Sequence, residues 1–140
     1  MAYLTSQNIW RSVIVRIREN GALKASLTGG IHEGFAPEKT SYPLVVWTPV
    51  VSVSEFAWGS KMTIALVDLV VYSMSSVEAS NLDQSLADQL DGAPLSVEGQ
   101  STLICRRVSD IRQVPDADAE GNKVYGVGGS YEIWTDQVPV

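Results

Sequence analysis

The chain has 140 residues and a mass of 15.2 kDa, with 45% hydrophobic and 19% charged residues, which suits one domain around one core and leaves too little for two. Sixteen acidic residues against ten basic ones give a formal charge of -6, the wrong sign for a nucleic-acid footprint, which concentrates Lys and Arg. The single Cys105 excludes an intrachain disulfide, and the first residues lack the basic start, apolar run and small-residue cleavage site of a signal peptide, so folding in a reducing cytosol is expected.

No apolar stretch reaches the roughly 18 residues of a spanning helix, since Ser54, Glu55, Lys61 and Asp68 interrupt the most apolar region. Charge is unevenly placed. Residues 1–30 carry four bases against one acid, whereas residues 76–140 carry eleven acids against four bases. In a ring or stack, that asymmetry would put opposite signs on facing surfaces and fix orientation.

From Ser6 to about Asn20, the residues Ile9, Trp10, Val13, Ile14 and Ile17 fall within roughly 140° of a helical wheel, which predicts an amphipathic helix. Thr5 or Ser6 supplies the N-cap, and Asn20-Gly21 the stop. Arg11 and Arg18 lie together on the opposite side near Val15, as a solvated face or as an edge that meets a neighbouring subunit. One further helical turn over Ala22–Leu27 is broken by Thr28-Gly29-Gly30, and Ile31–Phe35 reads as a short strand.

After a polar loop at residues 36–41, Leu44–Trp47 is an apolar strand, and Val50–Phe56 alternates valine with serine. Pro49 between them argues against one uninterrupted central strand. A turn at Trp58-Gly59-Ser60 leads into Met62–Tyr72, apolar at both parities and hence a central strand. Helices would cover one of its faces; in a domain this small, a second subunit could cover the other.

Ser75 or Ser76 can cap a second helix carrying the stripe Ala79, Leu82, Leu86 and Leu90, and Ser75 with Glu78 has the spacing of a capping box. Asp91-Gly92 and Ala93-Pro94 end it. Two further strands, about Ser101–Val114 and Lys123–Thr135, flank an acidic hairpin at about residues 114–124 that carries Asp116, Asp118 and Glu120. The order helix, strands, helix, strands describes a single α+β domain over residues 1–140 with a mostly antiparallel sheet.

Chemistry-bearing residues are sparse. His32 and Cys105 have no local context for a nucleophilic pair, and one His with one Cys makes no tetrahedral zinc set. Asp116, Asp118 and Glu120 lack the calcium-loop pattern, so no metal site is expected. Gly126, Gly128 and Gly129 lie within a strand and point to a bulge or a close crossing instead of a phosphate loop. Carboxylate pairs such as Asp68 with Asp110 or Glu132 are what any chain with sixteen acids offers. Arg106 and Arg107, adjacent on a strand, should face opposite ways and form no patch. Core packing accounts for Trp10 and Trp47, while Trp58 beside a glycine turn suits an intersubunit contact. No catalytic residue and no cofactor are expected.

The run Leu27-Thr28-Gly29-Gly30-Ile31-His32-Glu33-Gly34-Phe35-Ala36-Pro37, then Tyr42-Pro43-Leu44-Val45-Val46, resembles the opening of the tail completion, or tail terminator, proteins of long-tailed bacteriophages. Leu69-Val70-Val71-Tyr72-Ser73, the helix that follows, and Asp91-Gly92-Ala93-Pro94-Leu95 resemble the second half of that pattern, over roughly residues 8–136. The resemblance implies an α+β subunit with two main helices packed on one face of the sheet. It also implies assembly into a ring, typically hexameric, at the head-proximal end of the tail tube in the virion. The implied partners are further copies of the chain, the tail tube protein and the head connector or neck protein, with no nucleic-acid sequence and no membrane. Arg11, Arg18, Trp58, Asp116, Asp118 and Glu120 are then the candidate subunit or partner contacts. Another neck component, a small dimeric cytosolic binding domain, and a hydrolase or transferase with dispersed acids are the competing readings.

Overall fold

The elements follow one another as α1 (Ser6–Glu19), α2 (Gly21–Ser26), β1 (Ile31–Glu33), β2 (Leu44–Ala57), β3 (Ser60–Ser73), α3 (Ser76–Leu90), β4 (Ser96–Val97), β5 (Gln100–Ser101), β6 (Ile104–Arg112), β7 (Asp116–Ala117) and β8 (Lys123–Gln137). They are taken from a computed structural model that describes residues 6–37, 40–57, 60–97, 100–101, 104–118 and 120–137.

The main sheet has the order β1-β2-β3-β8-β6, with β7 paired to the start of β8. Among the described residues β1 and β2 run parallel, and every other pairing is antiparallel. The two-faced apolar strand expected at Met62–Tyr72 is β3, in the middle of the sheet. Its residues Ala65, Val67, Leu69 and Val71 pair in register with Ile133, Tyr131, Gly129 and Val127 of β8. On the same face these join Ile9, Val13 and Ile17 of α1 and Leu82, Leu86 and Leu90 of α3 in one core. Burying that apolar area is what holds the helical layer to the sheet.

β2 departs from expectation. It runs through Pro49 as one strand, because β1 pairs only with Val45, Val46 and Trp47, so beyond Trp47 no described strand flanks β2 on that side. A proline at an edge forfeits no ladder bond, and a register shift between Pro49 and Val51 absorbs one residue. Leu66, which pairs with Val51 at that shift, accepts a hydrogen bond at its carbonyl from Nε1 of Trp10 at 2.8 Å, tying α1 to the sheet. The strand expected over Ser101–Val114 is also divided: Ser101 ends the β4–β5 hairpin, and β6 starts at Ile104.

α3 is capped as its sequence foretells, with one added step. The Ser75 hydroxyl accepts from Glu78 N at 3.3 Å. The Glu78 carboxylate reaches Ser73 instead of Ser75, accepting from its hydroxyl at 2.7 Å, and that hydroxyl accepts from Ser75 N at 3.1 Å. The reciprocal capping contact is thus relayed through Ser73. Gly92, at φ 76°, takes the left-handed turn that ends the helix.

Candidate functional site

Arg11, Val15 and Arg18 recur at the spacing of one helix face and are all exposed, Val15 by 51%. The opposite flank of α1 faces α3: Nε of Arg16 donates to the Gln89 carbonyl at 3.3 Å, and Nδ2 of Asn20 donates to the Gln89 side chain at 3.2 Å. The Arg11–Arg18 stripe therefore points outward and away from α3, on the side where Trp10 reaches Leu66. Trp58 lies outside the described residues.

The acidic hairpin is closed by Asp118. Its carboxylate accepts from Glu120 N at 2.9 Å, Asn122 N at 2.8 Å and Nδ2 of Asn122 at 3.3 Å, as a short carboxylate does when it organises a turn. These bonds, the Asn122 backbone first, hold its pKa below the ordinary aspartate value. The Tyr42 hydroxyl points at the same carboxylate from 3.5 Å, and burial, followed by that negative charge, raises the phenol's pKa. Asp116 accepts from Ala117 N at 2.8 Å, and Glu120 is exposed. Tyr42 also lines an apolar cleft of about 280 Å³ with Phe35, Leu44, Val46, Tyr72 and Val124. The structure thus sets the acids together at one tip.

Sequence reasoning missed Arg107. Its guanidinium makes five hydrogen bonds: to both Asp83 oxygens at 2.8 and 2.9 Å, the Tyr131 hydroxyl at 3.1 Å, the Gly128 carbonyl at 2.7 Å and Asp110 at 2.9 Å. Every N–H is used. The bidentate Asp83 contact is the main influence holding Arg107 protonated, against the cost of burial. Arg107 alternates with Arg106 as parity requires and shares the helix-facing side with Cys105, pairing with Tyr131; the register shift between Arg107 and Ser109 brings Arg112, opposite Val127, to that same side. The glycine run gave half the signal, since Gly129 lies directly against the guanidinium.

Around Arg107 a cleft of about 450 Å³ opens between α3 and β6, walled by Gln84, Asp91, Asp110, Arg112 and Ile111. The turn after α3 seals the adjoining edge of β6: Gly92 N donates to Cys105 O at 2.7 Å, Cys105 N to Ala93 O at 3.2 Å, and Arg107 N to the Asp91 carboxylate at 3.0 Å. Covering an edge in this way blocks strand addition there.

None of this is arranged for bond-making. Burial, with a smaller push from Asp91, raises the Cys105 thiol to about 12, which removes thiolate character. His32 on β1 has Nε2 2.7 Å from Gly29 O, while Cys105 on β6 is at the opposite edge of the sheet. Asp68 accepts from the Ser130 hydroxyl on the face away from the helices, whereas Asp110 binds Arg107 beneath α3. Among the described residues, no three His, Cys, Asp or Glu side chains are grouped to hold a metal. No described helix is long and apolar enough to cross a membrane.

The family model for the tail completion protein gp17 matches residues 11–136. The chain belongs to the tail completion protein gp17 family. A solved chain from the virion of a native gene transfer agent particle has the same fold, with a TM-score of 0.76 at 12% identity over 97% of this chain and 100% of that one. A second solved chain overlaps at a TM-score of 0.48 and 14% identity, over 91% of this chain and 94% of that one. The curated proteins searched contain no match. This tail completion protein is accordingly a non-catalytic structural component of the virion that caps the tail tube at the head–tail junction.

Proposed function

We propose that the tail completion protein works as a closed ring of identical subunits, six by resemblance to its family, with one face on the tail tube protein and the other on the head connector. The family match across residues 11–136 carries this reading. A ring terminates a tube by matching its symmetry on one side and withholding on the other the surface that adds the next layer. Arg11, Arg18, Trp58 and the hairpin acids Asp116, Asp118 and Glu120 are the residues we assign to subunit or partner contacts. The exposed Arg11–Arg18 stripe supports that assignment, as does the acidic tip, which projects beyond the core as a tether to a second component would.

The reading is tested by absolute mass from light scattering over protein concentration and salt, with imaging of the largest species, first alone and then on purified tails. A discrete ring, free or formed on the tail end, is expected. A chain that stays monomeric alone and leaves tails bare would overturn it.

A further inference from the structure

We infer that neighbouring copies meet head to tail, with the Arg11–Val15–Arg18 face of α1 in one copy seated on the carboxylate-rimmed cleft between α3 and β6 of the next. The inference rests on the proposed ring.

Three observations carry it. The first is placement. The stripe is turned away from α3, on the flank of α1 where Trp10 reaches Leu66 of β3, while the cleft lies between α3 and β6 at the edge of the sheet. Two different patches on opposite flanks make a heterologous contact, the kind that closes into a ring when the rotation per subunit allows.

The second is charge. Arg11 and Arg18 are exposed, and neither has an ion-pair partner among the described residues. On the other flank the cleft is lined by Asp83, Asp91 and Asp110 against Arg107 and Arg112, with Asp91, Asp110 and Arg112 exposed. The five N–H groups of Arg107 are spent within the subunit, two on Asp83 and one on Asp110, so the lining as a whole keeps an excess of one carboxylate. Basic flank against acidic rim is complementary, whereas a two-fold contact of flank against flank would bring four arginines together.

The third is shape. Seven residues of helix set Arg11 and Arg18 roughly 10.5 Å apart along the axis, with Val15 exposed between them. The cleft has the inverse pattern, with Ala87, Ile111 and Val127 in its lining and carboxylates at its rim. Since the Asp91–Ala93 turn already occupies the β6 edge at Cys105 and Arg107, the cleft receives side chains from a helix and not an added strand.

The test uses two charge reversals that leave the Arg107 network intact, R11E/R18E on the stripe and Q84K/D88K on α3, where Gln84 lines the cleft and Asp88 accepts from it one turn on. Gln84 donates to Asp88 at 2.9 Å on the exposed side of α3, so their loss removes one solvated bond. Each variant alone should need at least ~10-fold more protein than wild type for half-assembly, measured by light scattering with circular dichroism confirming the fold. An equimolar mixture should recover the wild-type mass, since each mixed contact again pairs opposite charges. Wild-type assembly with unchanged masses for both variants, or a mixture that stays dissociated, would overturn the pairing and leave the ring standing. Failure of the wild type to assemble, alone or on tails, would overturn the ring and the pairing together. Should a reversed variant fail to fold, R11Q/R18Q supplies the stripe arm, with a smaller rise expected and no change refuting the pairing.

Discussion

Arg107 fits against Gly129 only because that glycine has no Cβ: an added one would stand 2.5 Å from the guanidinium carbon and 2.7 Å from Nε. Accommodating it means moving a side chain that has spent all its donors, so Gly129→Ala should cost about 1–3 kcal/mol in urea unfolding, the usual range for overpacking a filled site. Gly21→Ala is the control. Nothing lies within 4 Å of its added Cβ at the start of α2, and helix propensity favours alanine there. Equal stabilities for the two variants would contradict the packing described.

The Arg107–Asp83 pair sits largely out of water, at 15% and 12% side-chain exposure. Removing one partner strands a buried charge, so Asp83→Leu or Arg107→Met alone should each destabilise by ~3–5 kcal/mol. The double variant should lose less than the sum, because no unpaired ion remains. Additive losses in a double-mutant cycle would show that the two side chains act independently.

Alkaline pH should loosen the fold. Burial raises Cys105 from 9.0 to about 12 and Tyr131 from 10.0 to about 12, so the native state holds both protons more tightly than the unfolded chain. Stability is then full below about pH 9, where both states are protonated, and declines between pH 9 and 12 as the unfolded chain releases protons first. Three units at the thiol correspond to roughly 4 kcal/mol as a ceiling. The urea midpoint should fall over that window, and Cys105→Ala should flatten the slope between pH 9 and 10; a wild-type midpoint that stays constant to pH 11 would refute the burial argument.

The hairpin should be expendable for folding. Shortening it between Asp116 and Val124 gives up the exposed two-residue β7 pairing, the exposed turn bonds to Asp118 and the long, half-buried 3.5 Å approach of Tyr42 to Asp118, so less than ~1 kcal/mol should be lost. Loss of cooperative thermal unfolding on shortening would contradict this.

What was legible in the sequence follows from what periodicity records. The apolar stripes of Ile9–Ile17 and Ala79–Leu90 and the two-faced run around Ala65–Val71 placed the helical layer and the central strand, because burial acts on every third, fourth or second residue. The family resemblance came from short runs such as Thr28–Pro37 and Asp91–Leu95. Pro49 and the role of Arg107 left no periodic trace for different reasons: the proline is tolerated because the pairing with β1 stops at Trp47 and leaves β2 an edge there, and the groups that use the Arg107 donors, Asp83 and Tyr131, come from segments distant in sequence. Whether Arg11 and Arg18 meet solvent or a subunit was open from sequence, since a polar helix face looks the same in both cases.

Particles produced without this chain test its role at the tube end most directly. Measured in electron micrographs, their tails should exceed the wild-type length and lie free of filled heads, because the tube would keep adding layers and lack a joining surface. Tails of normal length already joined to filled heads would contradict the account.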